Sequence, residues 1–186
     1  MVGEVVLYST LCVVLLPALC HAQYDLRAYR RDEFTHSKCI AISSTSVLTA
    51  KHSVTYSGLV YPVIQVDING WKNAKLKFVS KTKDIAILEV DGITNFTKIS
   101  LDNPKKGDII QTMRSSGKFG GTFDSKTRLD WALMDIGIER GDSGGPVLNT
   151  KGELIGIINS YTAFSNRDVT FVNAEGIRNF VRKSNE

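Results

Sequence analysis

The 186-residue sequence predicts an all-β fold of two lobes that ends in an α-helix. Short runs rich in Val, Ile, Thr and aromatic residues recur with turn signals between them, which is typical of a β-sandwich or β-barrel. A polar stretch at residues 100–108 separates an earlier group of runs from a later group. Near the end of the chain, Ile177, Phe180 and Val181 are spaced i, i+3 and i+4, the period of one helix face.

The predicted strands form one group on each side of the polar stretch. The first group comprises residues 38–42, 46–50, 59–66, 74–80 and 84–90. The second group comprises residues 108–113, 128–135, 146–148, 153–160 and 168–172. We expect Asn173 to cap the helix that follows, and Arg182 and Lys183 to interact favourably with the negative end of its dipole.

The first 22 residues have the composition of a secretory signal peptide. Residues 5–20 carry no charge, and Cys-His-Ala precedes Gln23 as a small-x-small cleavage pattern. The uncharged run is shorter than the roughly 20 residues that a membrane-spanning helix needs. We therefore expect cleavage after Ala22, a secreted protein (extracellular or periplasmic), and no stable membrane association afterwards. The two lobes then correspond to residues 23–100 and 101–186.

Charge and cysteine usage exclude several classes of function. The formal net charge is +4, and the basic residues are scattered without lysine runs or interleaved aromatics, so nucleic-acid binding is not expected. Only Cys39 remains after signal removal, so no internal disulfide can form, and its apolar neighbours predict a buried thiol. His36 and His52 lack metal-ligand spacing, and no metal or other cofactor is expected.

The stretch GDSGGPV at residues 141–147 predicts the chemistry. Ser143 has the Gly-x-Ser-x-Gly setting of a serine nucleophile, which needs a base and a group that orients the base. No histidine follows Ser143, which excludes the Ser–acid–His order of the α/β-hydrolases. The order His–Asp–Ser is present, because His52 follows a β-rich run and Asp84 opens an apolar one. Other acids compete with Asp84 for the orienting role: Asp67, Asp91, Asp102 and Asp108.

Three blocks in this order resemble the chymotrypsin-like (trypsin-fold) serine proteases. They are LTAKH at 48–52, KDIAIL at 83–88 and GDSGGPV at 141–147. LTAKH and the ending TFVNAEGIRNFV at 170–181 are most similar to the branch of glutamyl endopeptidases and exfoliative toxins. The resemblance implies two antiparallel six-stranded β-barrels with the site between them.

The resemblance also implies an activity and a role for each matched residue. The expected activity is a secreted serine endopeptidase that hydrolyses peptide bonds of a protein or peptide substrate through an acyl-enzyme. Ser143 is then the nucleophile, His52 the general base and later acid, and Asp84 the group that orients His52. The backbone N–H groups of Gly141 and Ser143 form the oxyanion hole. The residues expected to contact substrate are Gly137, Asn159, Ser160 and Tyr161.

Departures from the family pattern limit the predicted specificity. Ile158 stands where the glutamyl endopeptidases have a histidine, and Gly137 stands where trypsin-like enzymes have an acid. Neither a glutamate nor a simple basic P1 preference is therefore predicted, although Asp168 is a candidate for selecting a basic side chain. No PDZ-like segment follows the second lobe, so we expect a monomer rather than a large quality-control assembly.

Activation is also expected to differ from that of trypsin. There is no Ile-Val-Gly-Gly start, so the charge of Asp142 needs a partner other than a new N-terminus, and Arg128 and Arg140 are candidates. The pair Arg30-Arg31 suggests a processing site that trims residues 23–31. Two alternatives to the endopeptidase remain: a weakly active or inactive binding protein on the same fold, and an esterase.

Overall fold

The computed structural model describes residues 22–31, 33–162 and 165–186, with residues 161, 162, 165 and 166 described by their backbone alone. Apart from Ala22, the predicted signal peptide lies outside these residues. Two antiparallel sheets and a C-terminal helix make up the fold. Within the described residues, no helix combines the length and the apolar composition that crossing a bilayer requires.

Nine strands form the first lobe: β1 (Gln23–Arg30), β2 (Glu33–Ala41), β3 (Ser46–Thr49), β4 (Thr55–Tyr56), β5 (Leu59–Val60), β6 (Val63–Asp67), β7 (Trp71–Asn73), β8 (Lys75–Val79) and β9 (Ala86–Glu89). Seven of them form the first sheet, in the order β7-β6-β1-β2-β3-β9-β8. Strands β4 and β5 form a separate two-stranded hairpin.

The second sheet closes into a six-stranded barrel in the order β10-β11-β12-β15-β14-β13. Helix α1 (Ala174–Lys183) follows the last strand. The strands are β10 (Ile109–Gln111), β11 (Ser116–Asp124), β12 (Leu129–Met134), β13 (Pro146–Asn149), β14 (Leu154–Thr162) and β15 (Ser165–Asn173). The predicted all-β class, the terminal helix and one six-stranded barrel are confirmed, and in place of the other expected barrel the first lobe has a curled sheet of seven strands.

Strand β1 lies in the middle of the first sheet, a position that the sequence analysis does not predict. It pairs with β2 along residues 23–30 and with β6 along residues 26–29. Its residues alternate as in any strand, so Leu26 and Ala28 are fully buried while Arg27 and Tyr29 face the other way. Trimming at Arg30-Arg31 does not fit this fold, because it would remove a central strand.

Strand β11 is another strand that the sequence analysis does not predict, and its glycines explain why. A Cβ at Gly120 would collide with the ring of Trp131 on β12. Gly121 has φ +125°, and the pairing with β12 shifts register between Phe119 and Gly121. Glycine at a bulge and at a close approach weakens the strand signal of a sequence while serving the strand's geometry.

Helix α1 packs its apolar face into a core to which both sheets contribute. Asn173 accepts a hydrogen bond from the Gly176 N–H at 2.9 Å, which confirms the predicted cap. The rings of Phe78 and Phe180 lie 5.2 Å apart, and Ile177 is fully buried in the same core. The C-terminal end of the chain is therefore packed against residues of the N-terminal lobe.

The segment between the two sheets is held by Glu153 of the second sheet. Its carboxylate accepts hydrogen bonds from Asn149 Nδ2 at 3.0 Å, Lys98 Nζ at 3.1 Å and Ser100 Oγ at 3.1 Å. The backbones of Lys98 and Ser100 also bond to Leu154, each at 2.9 Å. These donors, the Asn149 amide first, hold the pKa of Glu153 at about 2, below its ordinary value of 4.5.

Glu153→Gln is expected to lower the unfolding temperature at neutral pH, with the difference from wild type closing in acid. The pKa of Glu153 is lower in the folded protein, so its ionised form stabilises the fold above about pH 4.5. That stabilisation is lost as the pH falls towards 2. Thermal unfolding of both proteins across this range measures the effect. Glu89→Gln, at an exposed position of β9, is the control, and a pH-independent difference for Glu153→Gln would contradict the expectation.

Candidate active site

His52 and Asp84 meet because β3 and β9 are neighbouring antiparallel strands. His52 lies in the 3-10 turn Lys51–Ser53 that follows β3, and Asp84 lies just before β9. Thr49 pairs with Ala86, so the end of one strand faces the beginning of the other. The predicted pairing of these two residues therefore follows from the topology of the sheet.

Both oxygens of the Asp84 carboxylate contact His52. Oδ2 lies 2.6 Å from the ring Nδ1, and Oδ1 accepts the His52 backbone N–H at 2.9 Å. An acceptor on Nδ1 favours the tautomer that carries the proton there, which leaves Nε2 free to accept one. The side chain of Asp84 is less exposed than that of His52, as suits a group that orients the ring from behind.

Ser143 follows a tight turn whose geometry depends on glycine. The Asp142 N–H bonds to the Glu139 carbonyl at 3.1 Å, and Gly141 has φ +100°. This is a type II β-turn over residues 139–142, whose third position favours glycine. Within the described residues, the N–H groups of Gly141 and Ser143 have no backbone acceptor. Two unpaired N–H groups beside a serine hydroxyl are what an oxyanion hole requires.

Arg114 is the partner of the buried Asp142, and neither Arg128 nor Arg140 fills that role. Asp142 Oδ2 accepts from Arg114 Nε at 2.6 Å and from the Glu139 N–H at 2.8 Å. Arg128 instead pairs with Glu175, and Arg114 forms a second ion pair with Glu139 at 3.1 Å. The carboxylate next to Ser143 is thus tied to both the cation and the first residue of the turn.

The turn is also fixed to the first sheet. The Lys38 N–H donates to the Ser143 carbonyl at 2.9 Å, and the Gly144 N–H donates to the Ile158 carbonyl at 2.8 Å. Gly144 has φ +81° and packs so closely on the Lys38 carbonyl and Thr49 that a Cβ would collide with both. A residue from each sheet therefore holds the serine from either side.

A cleft of about 440 Å³ lies where the two sheets face each other. Five of the predicted site residues line it: His52, Gly141, Ser143, Asn159 and Ser160. Gly137 does not, although the residues that follow it do, and the side chain of Tyr161 lies outside the described part of the structure. In the described chain, no hydrogen bond joins Ser143 Oγ to the His52 ring, and such bonds are often long before substrate binds.

The cleft also has a wall that the sequence analysis does not predict. Thr35, His36 and Ser37 of β2 line it together with Ile138, Glu139 and Arg140. His36 precedes the first predicted strand, residues 38–42, whereas β2 begins at Glu33. Phe34 is the one apolar residue in 33–38, so no alternation of apolar and polar residues marks this part of β2 in the sequence.

The remaining candidates lie elsewhere. Asp67 and Asp108 each accept backbone N–H groups in turns, from Gly70 and Lys105 respectively, and neither lines the cleft. Asp168 pairs with Leu133 in the barrel and does not line the cleft either. Cys39 is fully buried, as predicted, and burial raises the pKa of its thiol well above the usual range, so it is no rival nucleophile.

Comparison with curated proteins finds serine proteases, although no protein-family model matches the sequence. A probable periplasmic serine endoprotease, DegP-like, of Rhizobium meliloti (strain 1021) is 29% identical over 131 residues, 62% of this chain and 26% of the relative. The serine protease HTRA1B of Danio rerio is 24% identical over 169 residues, 77% of this chain and 34% of the relative. The chain thus spans about a quarter to a third of the length of these relatives.

Comparison with solved structures also finds proteases. The active form of a protease from M. tuberculosis superposes with a TM-score of 0.75 at 17% identity, over 87% of this chain and 80% of that one. The chain has the chymotrypsin-like fold. The HtrA-type protease AlgW with a tripeptide gives a TM-score of 0.75 at 19% identity, over 89% of this chain and 60% of that one. These comparisons point to HtrA and DegP proteases, and they do not show the glutamyl endopeptidase branch.

Proposed function

We propose that the chain is a serine endopeptidase that acts on a protein or peptide substrate through an acyl-enzyme. The observation that carries the proposal is a cleft lined by His52 of the first lobe, whose ring is bonded to Asp84 behind it, and by Ser143 of the second lobe. Similarity to serine proteases in both sequence and fold supports it.

In the proposed reaction, His52 takes the proton of Ser143 as Oγ attacks the carbonyl carbon of the scissile bond. The negative oxygen that develops accepts hydrogen bonds from the N–H groups of Gly141 and Ser143. The C–N bond then breaks, and His52 gives its proton to the leaving amine while Asp84 stabilises the imidazolium. Water then attacks the acyl carbon as His52 takes a proton from it. The ester bond to Ser143 Oγ breaks, and His52 returns the proton to Ser143.

We also propose that the protein is exported, is cleaved after Ala22, and works as a monomer without a cofactor. Periplasmic proteases among the relatives support export. We do not expect a P1 preference for glutamate, because Ile158 stands where the glutamyl endopeptidases have a histidine. Ile138 lines the cleft and is buried, which favours an apolar P1 side chain over a charged one.

A binding protein without turnover is the second candidate. In the part of the chain that the structure describes, Ser143 Oγ has no hydrogen bond to the His52 ring, which favours this candidate because a nucleophile must contact its base. A ligand would then occupy the same cleft without reaction.

Labelling with a fluorophosphonate separates the two candidates. This reagent phosphonylates only an activated serine, so the purified protein is expected to gain one adduct by intact mass, and Ser143→Ala none. Ser44→Ala, which removes an exposed hydroxyl outside the cleft, is the control and is expected to label like wild type. Absence of an adduct on folded wild-type protein would overturn the enzyme proposal and leave the binding protein.

A further inference from the structure

Strand β2 has a free backbone edge that leads away from Ser143. β2 pairs with β1 along residues 33–40, but with β3 only through Ile40 and Ala41. On this second side, Lys38 bonds through its N–H to Ser143 and through its carbonyl to the hydroxyl of Thr49. Alternate residues of a strand direct their backbone groups to the same side, so His36 and Phe34 present theirs at this edge. In the described chain no strand pairs with them there.

An aromatic face lies beside this edge. It consists of Tyr29, Phe34, His36 and Trp71, whose neighbouring rings are 5.3, 5.8 and 6.2 Å apart in that order. The Arg27 guanidinium lies 3.9 Å over the Trp71 ring and donates from Nε to Gln65 at 2.9 Å. Phe34 is nonetheless 56% exposed. Such a preorganised aromatic surface can bind an apolar side chain at little cost in conformational entropy.

The free edge and the aromatic face are continuous with the reacting centre. His36 belongs to the aromatic face and lines the cleft together with His52 and Ser143. Thr35 Oγ1 donates to the Ser53 carbonyl at 3.0 Å, which holds this wall against the turn that carries His52. Because His52 protonates the leaving amine, the chain downstream of the scissile bond departs on the side of this wall.

Two buried hydroxyls in the same wall point to an occupant. Ser37 and Ser53 are 3% and 2% exposed, both line the cleft, and neither hydroxyl has a hydrogen-bond partner among the residues that the structure describes. A buried hydroxyl without a partner is destabilising, whereas a polar chain bound against the wall can supply one. Peptide backbone is the chemistry that also matches the free N–H and carbonyl groups of β2.

We propose that β2 and the aromatic face bind the leaving-group side of an extended polypeptide, with preference for an aromatic or bulky aliphatic side chain within four residues downstream of the scissile bond. The inference rests on the proposed endopeptidase function and adds a substrate class to it. The downstream segment adds to the edge of β2 as a strand, and one of its alternate side chains rests on Phe34.

Cleavage-site mapping tests this preference. Wild type, Phe34→Ser and the control Phe123→Ser, whose phenylalanine is 60% exposed on β11, digest a proteome-derived peptide library that is read by mass spectrometry. We expect downstream aromatic and bulky aliphatic residues to be enriched for wild type and the control. For Phe34→Ser the enrichment is lost. Its kcat/KM on a peptide with a downstream phenylalanine falls about tenfold relative to its own fluorophosphonate labelling rate.

Each other outcome overturns the inference in a recognisable way. Labelling of wild type without any downstream enrichment would refute the subsite and leave the proposed function standing. Failure of wild type to label would remove both. If gel filtration shows a wild-type dimer that Phe34→Ser dissociates, the aromatic face joins two copies of the chain, and the substrate subsite is refuted.

Discussion

Asp84→Asn is expected to lower kcat about 10⁴-fold at neutral pH while the protein stays folded. The structure gives the reason, because Asp84 Oδ1 accepts the His52 backbone N–H at 2.9 Å. In the variant the amide oxygen keeps that hydrogen bond, so the amide NH₂ faces Nδ1. The ring must then accept at Nδ1 and carry its proton on Nε2, which is the tautomer that cannot take a proton from Ser143.

Steady-state kinetics on a peptide substrate, with thermal unfolding as a check on folding, measure this effect. The loss is expected in kcat, with little change in KM, because the substrate does not touch Asp84. Asp91→Asn provides a matched control at an exposed acid in the turn after β9 and should retain wild-type kcat. A kcat within tenfold of wild type for Asp84→Asn would show that another group orients His52.

Arg114→Met is expected to lower kcat about 10²-fold, comparable to the loss of one oxyanion-hole donor. The cation holds Asp142, and Asp142 holds the Glu139 N–H, so both ends of the turn that presents the Gly141 N–H depend on it. Without the cation, the buried carboxylate keeps one hydrogen bond and no compensating charge. A second cost of about 1–3 kcal/mol in stability is expected from the lost charged hydrogen bond.

Arg128→Met is the matched control for Arg114→Met. The side chains of Arg128 and Arg114 are 42% and 41% exposed, respectively, and each forms an ion pair. Arg128 pairs with Glu175 of helix α1, and neither of these two residues lines the cleft. We expect the control to keep kcat and to lose at most a little stability. Addition of guanidinium at low concentration should restore part of the kcat of Arg114→Met alone. Equal kcat losses in the two variants, or a loss in KM only, would refute this positioning role.

The sequence predicted the barrel better than the first sheet. Strands such as β12 and β14 are apolar runs with turn residues at both ends, and period alone reveals them. β1 alternates too, but its inward positions include the small Ala28, and five charged residues lie within residues 25–32. Its central position comes from pairing with β6, whose residues lie more than 30 positions away, and no local pattern carries that information.

The residues of the site also differ in how well the sequence predicts them. Ser143 and Gly141 could be proposed from the sequence because their expected chemistry depends on a contiguous stretch with a glycine turn, and His52 could be proposed because few histidines compete with it. Arg114 could not be found from the sequence, because it lies 28 residues before Asp142 and many arginines could supply the same charge. The β2 wall went unnoticed because its contribution is made by backbone groups, which every residue carries.

The bond from the Lys38 N–H to the Ser143 carbonyl bears on how such a protein can diversify. It is a main-chain contact, so almost any side chain at position 38 satisfies it. The proposed acid–base pair, His52 and Asp84, belongs to the first lobe and the proposed nucleophile, Ser143, to the second, and this main-chain bond fixes one relative to the other. Mutations on the outer surface of the first sheet can therefore change which polypeptides are bound without moving His52 relative to Ser143. Substrate specificity can then evolve independently of the catalytic reaction.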